Sequence, residues 1–125
     1  MARSPDDRRR AVSRGAEAEA WVASRLEADG WRILERNWRC DAGEIDVVAE
    51  RDGSLRFVEV KARDPEDPTG LEAVDREKQR RIARAAETFL AVRGSPGREA
   101  AFLVALVEPG PEGWVVEWVD DAFDA

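Results

Sequence analysis

The sequence contains no histidine and only one cysteine, and these two absences exclude most common catalytic chemistry. Without histidine there is no Ser-His or Cys-His nucleophile pair, no imidazole acid or base and no His-ligated zinc. Cys40 alone forms neither an intramolecular disulfide nor a cysteine-based zinc site, which is typical of a reducing compartment. Any chemistry must therefore use carboxylates, lysine, hydroxyl groups or an oxygen-bound metal, and Mg²⁺ or Mn²⁺ prefer such ligands.

Long apolar segments are also missing, since no run approaches the ~20 residues that a membrane-spanning helix requires. The N-terminus is Arg-rich but lacks the apolar core of a secretory signal. We therefore expect a cytoplasmic protein with no membrane partner. The length of 125 residues, with 43% apolar and 38% charged side chains, suits one globular domain over 1–125. Its ends, 1–5 and 120–125, are expected to be mobile.

The net charge of −7 argues against a nucleic-acid partner, because Lys and Arg drive phosphate binding. The distribution of charge weakens this objection. Residues 1–63 carry 13 basic and 13 acidic side chains, whereas residues 64–125 carry 7 and 14. Five of those seven cations fall between Arg76 and Arg84, so one segment remains basic within the acidic half.

Turn residues and apolar spacing predict seven elements in the order αβββαββ. A first helix begins with Ser4 as N-cap and ends near Asp29, where Gly30 follows. A second helix, 71–92, has apolar residues at helical spacing and follows a loop at 64–70. We predict an α/β fold in which helices flank a mixed sheet, with strands at 31–34, 43–50, 55–61, 100–107 and 114–119.

The second and third strands form a hairpin that collects acidic side chains on one face and places Ile45, Val47, Val58 and Val60 on the other. With Asp52-Gly53 as a two-residue turn, opposed residues have numbers that sum to 105, so Asp46 faces Glu59 and Glu44 faces Lys61. Opposed Cβ atoms lie about 4.5–5.5 Å apart, and like charges there are destabilising. A divalent cation between Asp46 and Glu59 would offset that repulsion and leave positions for a phosphate oxygen.

Lys61 would orient a water molecule or stabilise developing charge in such a site. The structural alternative is the solvated face of an amphipathic hairpin, with Lys61 neutralising its acidic neighbours. The missing catalytic side chains and the hairpin register together favour the functional interpretation.

The hairpin contains Gly43-Glu44-Ile45-Asp46 and Phe57-Val58-Glu59-Val60-Lys61, and further motifs lie at 37–40, 72–74 with Lys78, and 121–123. These motifs resemble those of the YraN (UPF0102) family, which is assigned to the PD-(D/E)XK, or restriction-endonuclease-like, superfamily alongside Holliday junction resolvases. The resemblance covers most of the chain. It implies that Asp46, Glu59 and Lys61 are catalytic, with Asp46 and Glu59 binding metal, and that the first helix supplies a further carboxylate. Glu19 fits that role best, and Glu17 is the competitor.

The resemblance implies a Mg²⁺- or Mn²⁺-dependent endonuclease acting on DNA, with branched or structured DNA among the candidate substrates. Glu44 would pair with Lys61 or support the site. One departure is Ala101-Phe102-Leu103-Val104, where the family usually has Arg-Phe-Asp-Val. That change and the acidic balance favour an alternative, a non-catalytic nucleic-acid-binding or protein-interaction module that retains the nuclease fold. A hydrolase of small phosphate esters is a third possibility, and a homodimer stays open.

The basic segment of the second helix is the candidate nucleic-acid-binding surface, and a solubilising surface is the alternative. The candidate nucleic-acid-binding residues of this segment are Lys78, Gln79, Arg80, Arg81 and Arg84.

The tryptophans permit base stacking, but Trp114 and Trp118 alternate on one strand, which favours packing instead.

Overall fold

The computed structural model describes residues 5–62, 76–93, 99–111 and 113–120. Ser4, the predicted loop at 64–70, residues 71–75 of the predicted second helix and the motif at 121–123 lie outside the described residues. So do the expected mobile ends, except Pro5 and Asp120. The elements are α1 (Pro5–Ala28), β1 (Arg32–Cys40), β2 (Gly43–Arg51), β3 (Ser54–Ala62), α2 (Arg76–Val92), β4 (Ala100–Gly110) and β5 (Gly113–Asp120).

The predicted order αβββαββ is confirmed, and the five strands form one mixed sheet in the order β1-β2-β3-β4-β5. Neighbouring strands are antiparallel except for the central β3–β4 pair, which is parallel. A parallel pair needs a long crossover, and the segment that contains α2 joins these two strands. The architecture is consistent with the restriction-endonuclease-like fold class.

Two strands extend further than the sequence pattern indicated. β1 continues to Cys40, and β4 continues to Gly110. Trp38 and Cys40 pack against the core, so tertiary contacts hold a segment that lacks clean alternation. Pro109 fits in β4 opposite Trp114 near the hairpin turn, rather than in the turn itself.

α1 ends at Ala28, and Gly30 follows as predicted with a φ of 91°, which glycine adopts readily. The Gly30 N–H donates to the Glu27 carbonyl at 3.0 Å, and the Trp31 N–H donates to the Leu26 carbonyl at 2.9 Å. This pair of bonds is the Schellman motif, which satisfies the last carbonyls of a helix. Trp31 and Leu26 also lie in the same hydrophobic cluster, so the cap fixes the entry into β1.

Each face of the sheet is covered by one helix. On one face, Ala18, Val22 and Leu26 of α1 pack against β2, β3 and β4, and the buried Leu103 belongs to this cluster. On the other face, α2 presents its apolar stripe to the sheet, with Phe89 at its centre. The Phe89 ring makes edge contacts with Trp38 and Phe57 at centroid distances of 5.4 and 5.8 Å.

The tryptophans serve packing, as the strand alternation indicated. Trp31 is buried in the α1-side cluster, and Trp114 and Trp118 are half-buried against it. The Trp31 ring is also covered by the guanidinium groups of Arg51 and Arg56, at 4.6 and 4.2 Å from its centroid. No helix in the described ranges has the length and apolar character needed to cross a membrane.

Candidate functional site

The β2–β3 hairpin has the predicted register, but its ladder stops before the acidic residues face each other. The numbers of paired residues sum to 105 along the ladder, which runs from the pair Arg51 and Ser54 to the pair Val47 and Val58. Beyond that point Asp46 is not paired with Glu59. Its carboxylate Oδ2 instead accepts a hydrogen bond from the Val60 N–H at 2.8 Å. The Asp46 carboxylate thus takes the place of the β2 backbone carbonyl that would accept this bond in a regular ladder. The charge-assisted bond holds the Asp46 side chain in position.

Strict alternation is broken at the same place. Residues two apart on a regular strand share a face, yet Ile45 packs on the α2 side and Val47 packs on the α1 side. The prediction that Ile45 shares a face with Val47 is therefore wrong, whereas Val47 and Val58 do share one. Asn37, with a φ of 53°, interrupts β1 between the pairs that flank Asp46. At Asp46 of β2 and Asn37 of β1, each strand therefore switches which alternate residues face α1 and which face α2.

The two central carboxyl groups come together despite the altered register. Glu59 has only 8% of its surface exposed, and no other charged side chain in the described ranges is buried to that extent. Burial raises the pKa of Asp46 to about 8, and the nearby Glu59 carboxylate adds to this. The Val60 N–H acts in the opposite direction. Asp46 and Glu59 also share a hydrogen bond, so the pair favours one proton or a cation.

α1 contributes a third carboxylate to the surroundings of Asp46. Glu19 is half-buried, and its charge also raises the pKa of Asp46. Glu17 is exposed on the same helix. Of the two candidates from the sequence, the structure thus brings Glu19 toward the pair.

Glu44 and Lys61 do not form the pair that the register predicted. Glu44 makes an ion pair with Arg39 of β1, with 3.3 Å between Nε and Oε2, and these two residues are opposed in the β1–β2 ladder. Lys61 is half-buried on β3, two residues beyond Glu59 and opposite Leu106 of β4. The pairing fails because the β2–β3 ladder ends at Val47.

A cavity of about 430 Å³ opens beside the carboxyl pair. α2 forms one wall through Arg81 and Ile82, and the start of β2 forms another. The Arg81 guanidinium stays exposed and lies 3.7 Å from the Glu77 carboxylate one helical turn away. This cation therefore stands at the mouth of an acidic cavity. The lining residues are Gly43, Glu44, Asp46, Glu59, Arg81 and Ile82.

The other predicted nucleic-acid-binding residues take different positions on α2. Arg80 and Arg84 are exposed, and Gln79 is half-buried. Lys78 falls within the helix, but its side chain lies outside the described residues. Among the members of this group whose side chains are described, only Arg81 lines the cavity.

Gly43 contributes to the site in a way that its sequence position did not reveal. A Cβ atom at Gly43 would lie 3.3 Å from the Arg81 Cβ and 3.4 Å from the Arg81 carbonyl oxygen. The first residue of β2 thus has to be small for α2 to approach. The sequence signal was the glycine of Gly-Glu-Ile-Asp, since a glycine in a strand often marks a place where another backbone approaches closely.

The donor set suits a hard divalent cation. Mg²⁺ accepts carboxylate oxygens and keeps several of its waters, so two carboxylates are enough to hold it. In the described ranges no group of three or more Asp, Glu, Cys or His side chains is close enough to bind a metal. The closely placed carboxyl groups of Asp46 and Glu59 therefore fit a metal with a mostly water-filled coordination shell.

Comparison with known proteins identifies relatives over most of the chain. A family model described as "Uncharacterised protein family UPF0102" matches residues 18–107. The chain belongs to the UPF0102 family. A UPF0102 protein of Synechococcus sp. is 49% identical over 104 residues, covering 79% of each chain. A UPF0102 protein of Gloeobacter violaceus is 47% identical over 113 residues, covering 86% of this chain and 90% of its own.

The UPF0102 protein of Myxococcus xanthus is 41% identical over 125 residues, covering 98% of this chain and 95% of its own. The UPF0102 match at 18–107 includes all six residues that line the cavity as well as Glu19 and Lys61. The resemblance seen in the motifs is confirmed at the level of this family. The family description names no activity, so function has to be argued from the site.

Proposed function

We propose that this protein is a Mg²⁺- or Mn²⁺-dependent endonuclease that hydrolyses phosphodiester bonds in DNA. The observation that supports this most is the pairing of the half-buried Asp46 with the buried Glu59 in a cavity that Arg81 also lines. Burying two like charges destabilises a fold unless a proton or a cation offsets them. Placing Asp46 next to Glu59 therefore lowers the stability of the fold, which indicates that the pair has a function. The resemblance to PD-(D/E)XK nucleases supplies the substrate class.

Asp46 and Glu59 would hold the metal, which when bound polarises the phosphodiester and acidifies a water molecule. Val60 keeps Asp46 oriented through its N–H. Lys61, half-buried on the same strand as Glu59, would stabilise negative charge that develops on the phosphate. Arg81 at the mouth would orient the substrate through a neighbouring phosphate oxygen.

Glu19 would act on this site through its charge. As a third carboxylate it raises the pKa of Asp46, and a metal would bind more tightly with this additional negative charge nearby. Arg80 and Arg84, exposed on α2 close to Arg81, would extend the phosphate-binding surface along the helix.

The test is cleavage of labelled single-stranded, duplex, flap and four-way-junction DNA in Mg²⁺ or Mn²⁺. Wild type is compared with Asp46→Asn and Lys61→Ala, and Asp52→Asn is the matched control. Asp52 lies exposed at the turn of the same hairpin with a φ of 51°, which asparagine adopts readily. Cleavage that survives only in wild type and the control supports the proposal. Cleavage that persists in Asp46→Asn contradicts it.

A non-catalytic nucleic-acid-binding module is the second candidate. It is favoured over catalysis by the lack of a three-ligand cluster in the described ranges. In that case, DNA binding would weaken with salt and depend on Arg81 and Arg84, and Asp46→Asn would leave it unchanged or stronger. Absence of cleavage with either metal, combined with such binding, would establish this alternative.

A further inference from the structure

The two edges of the sheet differ in how they are protected from pairing with another strand. β1 carries exposed cations at Arg32, Arg36 and Arg39. Its register shifts near Glu35, and Asn37 has a φ of 53°. Charges and irregular backbone are the usual means by which an edge strand avoids further pairing. The β1 edge is therefore closed to a new strand.

The β5 edge lacks the exposed cations and the backbone irregularities of β1, although it carries the exposed Glu117. Its pairing with β4 runs without a register shift from Gly113 to Asp120, and the strand contains no lysine, arginine or proline. Val115 is 48% exposed and is one of two large apolar side chains exposed in the described residues. Among the described strands, none pairs with the outer side of β5. A long, regular, mostly apolar edge is a template for another strand.

Along a strand, the backbone N–H and C=O groups of successive residues point alternately to the two neighbouring strands. This alternation shows which backbone groups of β5 face outward. The Leu55 N–H donates to the Glu99 carbonyl at 2.9 Å, so odd-numbered residues of β4 bond toward β3. Even-numbered residues of β4 then bond toward β5, and they are opposed to odd-numbered residues of that strand. The N–H and C=O groups of Trp114, Val116 and Trp118 therefore point away from β4, toward the outer side of β5.

We infer that a second copy of this chain pairs with β5 antiparallel about a two-fold axis at Val116. Val116 then opposes its own counterpart, and Trp114 opposes Trp118 of the second copy on both sides of the axis. These three pairs consist of outward-facing residues, and they exchange about six hydrogen bonds, two for each pair. The two Trp-Trp pairs bury indole surface that is half-exposed in one chain.

Charge selects this register over the neighbouring one. An axis at Glu117 would place Glu117 opposite its own counterpart, and directly opposed like charges are destabilising. The axis at Val116 instead places Glu117 opposite Val115 of the second copy. Because the interface is isologous and the β1 edge is protected, pairing stops at two chains.

The net charge of −7 on each chain opposes association. Added salt screens that repulsion, so the dimer should become tighter at high ionic strength. Binding to DNA has the opposite salt dependence. The dimer does not depend on the carboxyl pair, so its test without metal or DNA is independent of the proposed function.

The register makes Val115 a specific probe. Its side chain is largely exposed, and in the dimer it would oppose Glu117 of the second copy. Val115→Lys would create two opposite-charge pairs across the axis, whereas Val115→Glu would create two like-charge pairs. Each chain is measured by sedimentation equilibrium at low and high salt, with thermal unfolding to confirm that both variants fold.

We expect the dissociation constant of Val115→Glu to exceed that of Val115→Lys by at least about tenfold, with the wild type between them. Val116→Pro adds an independent measurement, since it removes an outward-facing N–H without touching the β4 ladder, and it should yield a monomer. A wild type that stays monomeric at high protein concentration and high salt overturns the inference. So does a dimer whose dissociation constant is equal in the Lys and Glu variants.

Discussion

Replacing Asp46 by asparagine should remove a pH dependence from the free energy of unfolding. Burial raises the pKa of Asp46 to about 8 in the folded protein, against its ordinary value of 3.8. The folded protein therefore keeps a proton that the unfolded chain releases. Asparagine has no proton to release, but its Oδ1 still accepts the hydrogen bond from the Val60 N–H, so the local backbone should be preserved.

The sign follows from the raised pKa. The stabilising contribution of Asp46 is fully present below the unfolded pKa of 3.8 and is lost as the pH rises through about 8. Between pH 3.8 and about pH 8, each rise of one pH unit lowers the free energy of unfolding by up to about 1.4 kcal/mol for this one proton. Between pH 6 and pH 8 the wild type should lose about 2 kcal/mol through this group.

Urea denaturation followed by circular dichroism, at intervals from pH 6 to pH 8, measures the effect as a difference between two chains. The free energy of unfolding of Asp46→Asn should rise relative to wild type by about 2 kcal/mol across that range. Asp52→Asn is the control and should follow the wild type. Parallel pH profiles for wild type and Asp46→Asn would refute the reasoning. Millimolar Mg²⁺ at pH 8 should stabilise the wild type and leave Asp46→Asn unchanged.

Further predictions concern the α1 carboxylates and two glycines. Glu19→Gln should lower the pKa of Asp46, because it removes a nearby negative charge. The loss of stability with rising pH should then level off at a lower pH than in the wild type. Glu17→Gln should leave the profile unchanged, and the same denaturation series tests both variants. Gly43→Val should destabilise by about 1–3 kcal/mol, because its side chain meets α2 at close range. Gly15→Ala should stabilise by about 0.5–1 kcal/mol, since a Cβ there meets nothing within 4 Å; thermal unfolding measures both changes.

Local chemistry made the order of elements predictable. The φ of 91° at Gly30 and the Asp52-Gly53 turn depend on short-range preferences that sequence patterns carry. The hairpin register followed directly from that turn. The apolar run in β4 likewise indicated a strand that is buried on both faces. These features need no knowledge of distant parts of the chain.

The proximity of Asp46 and Glu59 was predictable from the sequence, but the geometry of the pair was not. Alternation placed Asp46 opposite Glu59, yet Asp46 reaches the Val60 N–H because the ladder ends at Val47. That ending depends on a side chain competing with the backbone for one donor, which periodicity does not encode. The role of Gly43 depends on the approach of α2, a contact between segments far apart in sequence.

The parallel pairing of β3 with β4 also has a consequence for how the chain folds. Asp46 and Glu59 belong to a local hairpin, which closes quickly, whereas β4 joins only after a loop from Ala62 to Ala100 has closed. The two carboxyl groups therefore meet first in a hairpin that is exposed to water. Their burial follows when β4 and α2 cover the hairpin, and at that moment the pair must take up a proton or a cation. Folding of this chain should thus be kinetically coupled to the proton or divalent-ion concentration of its surroundings.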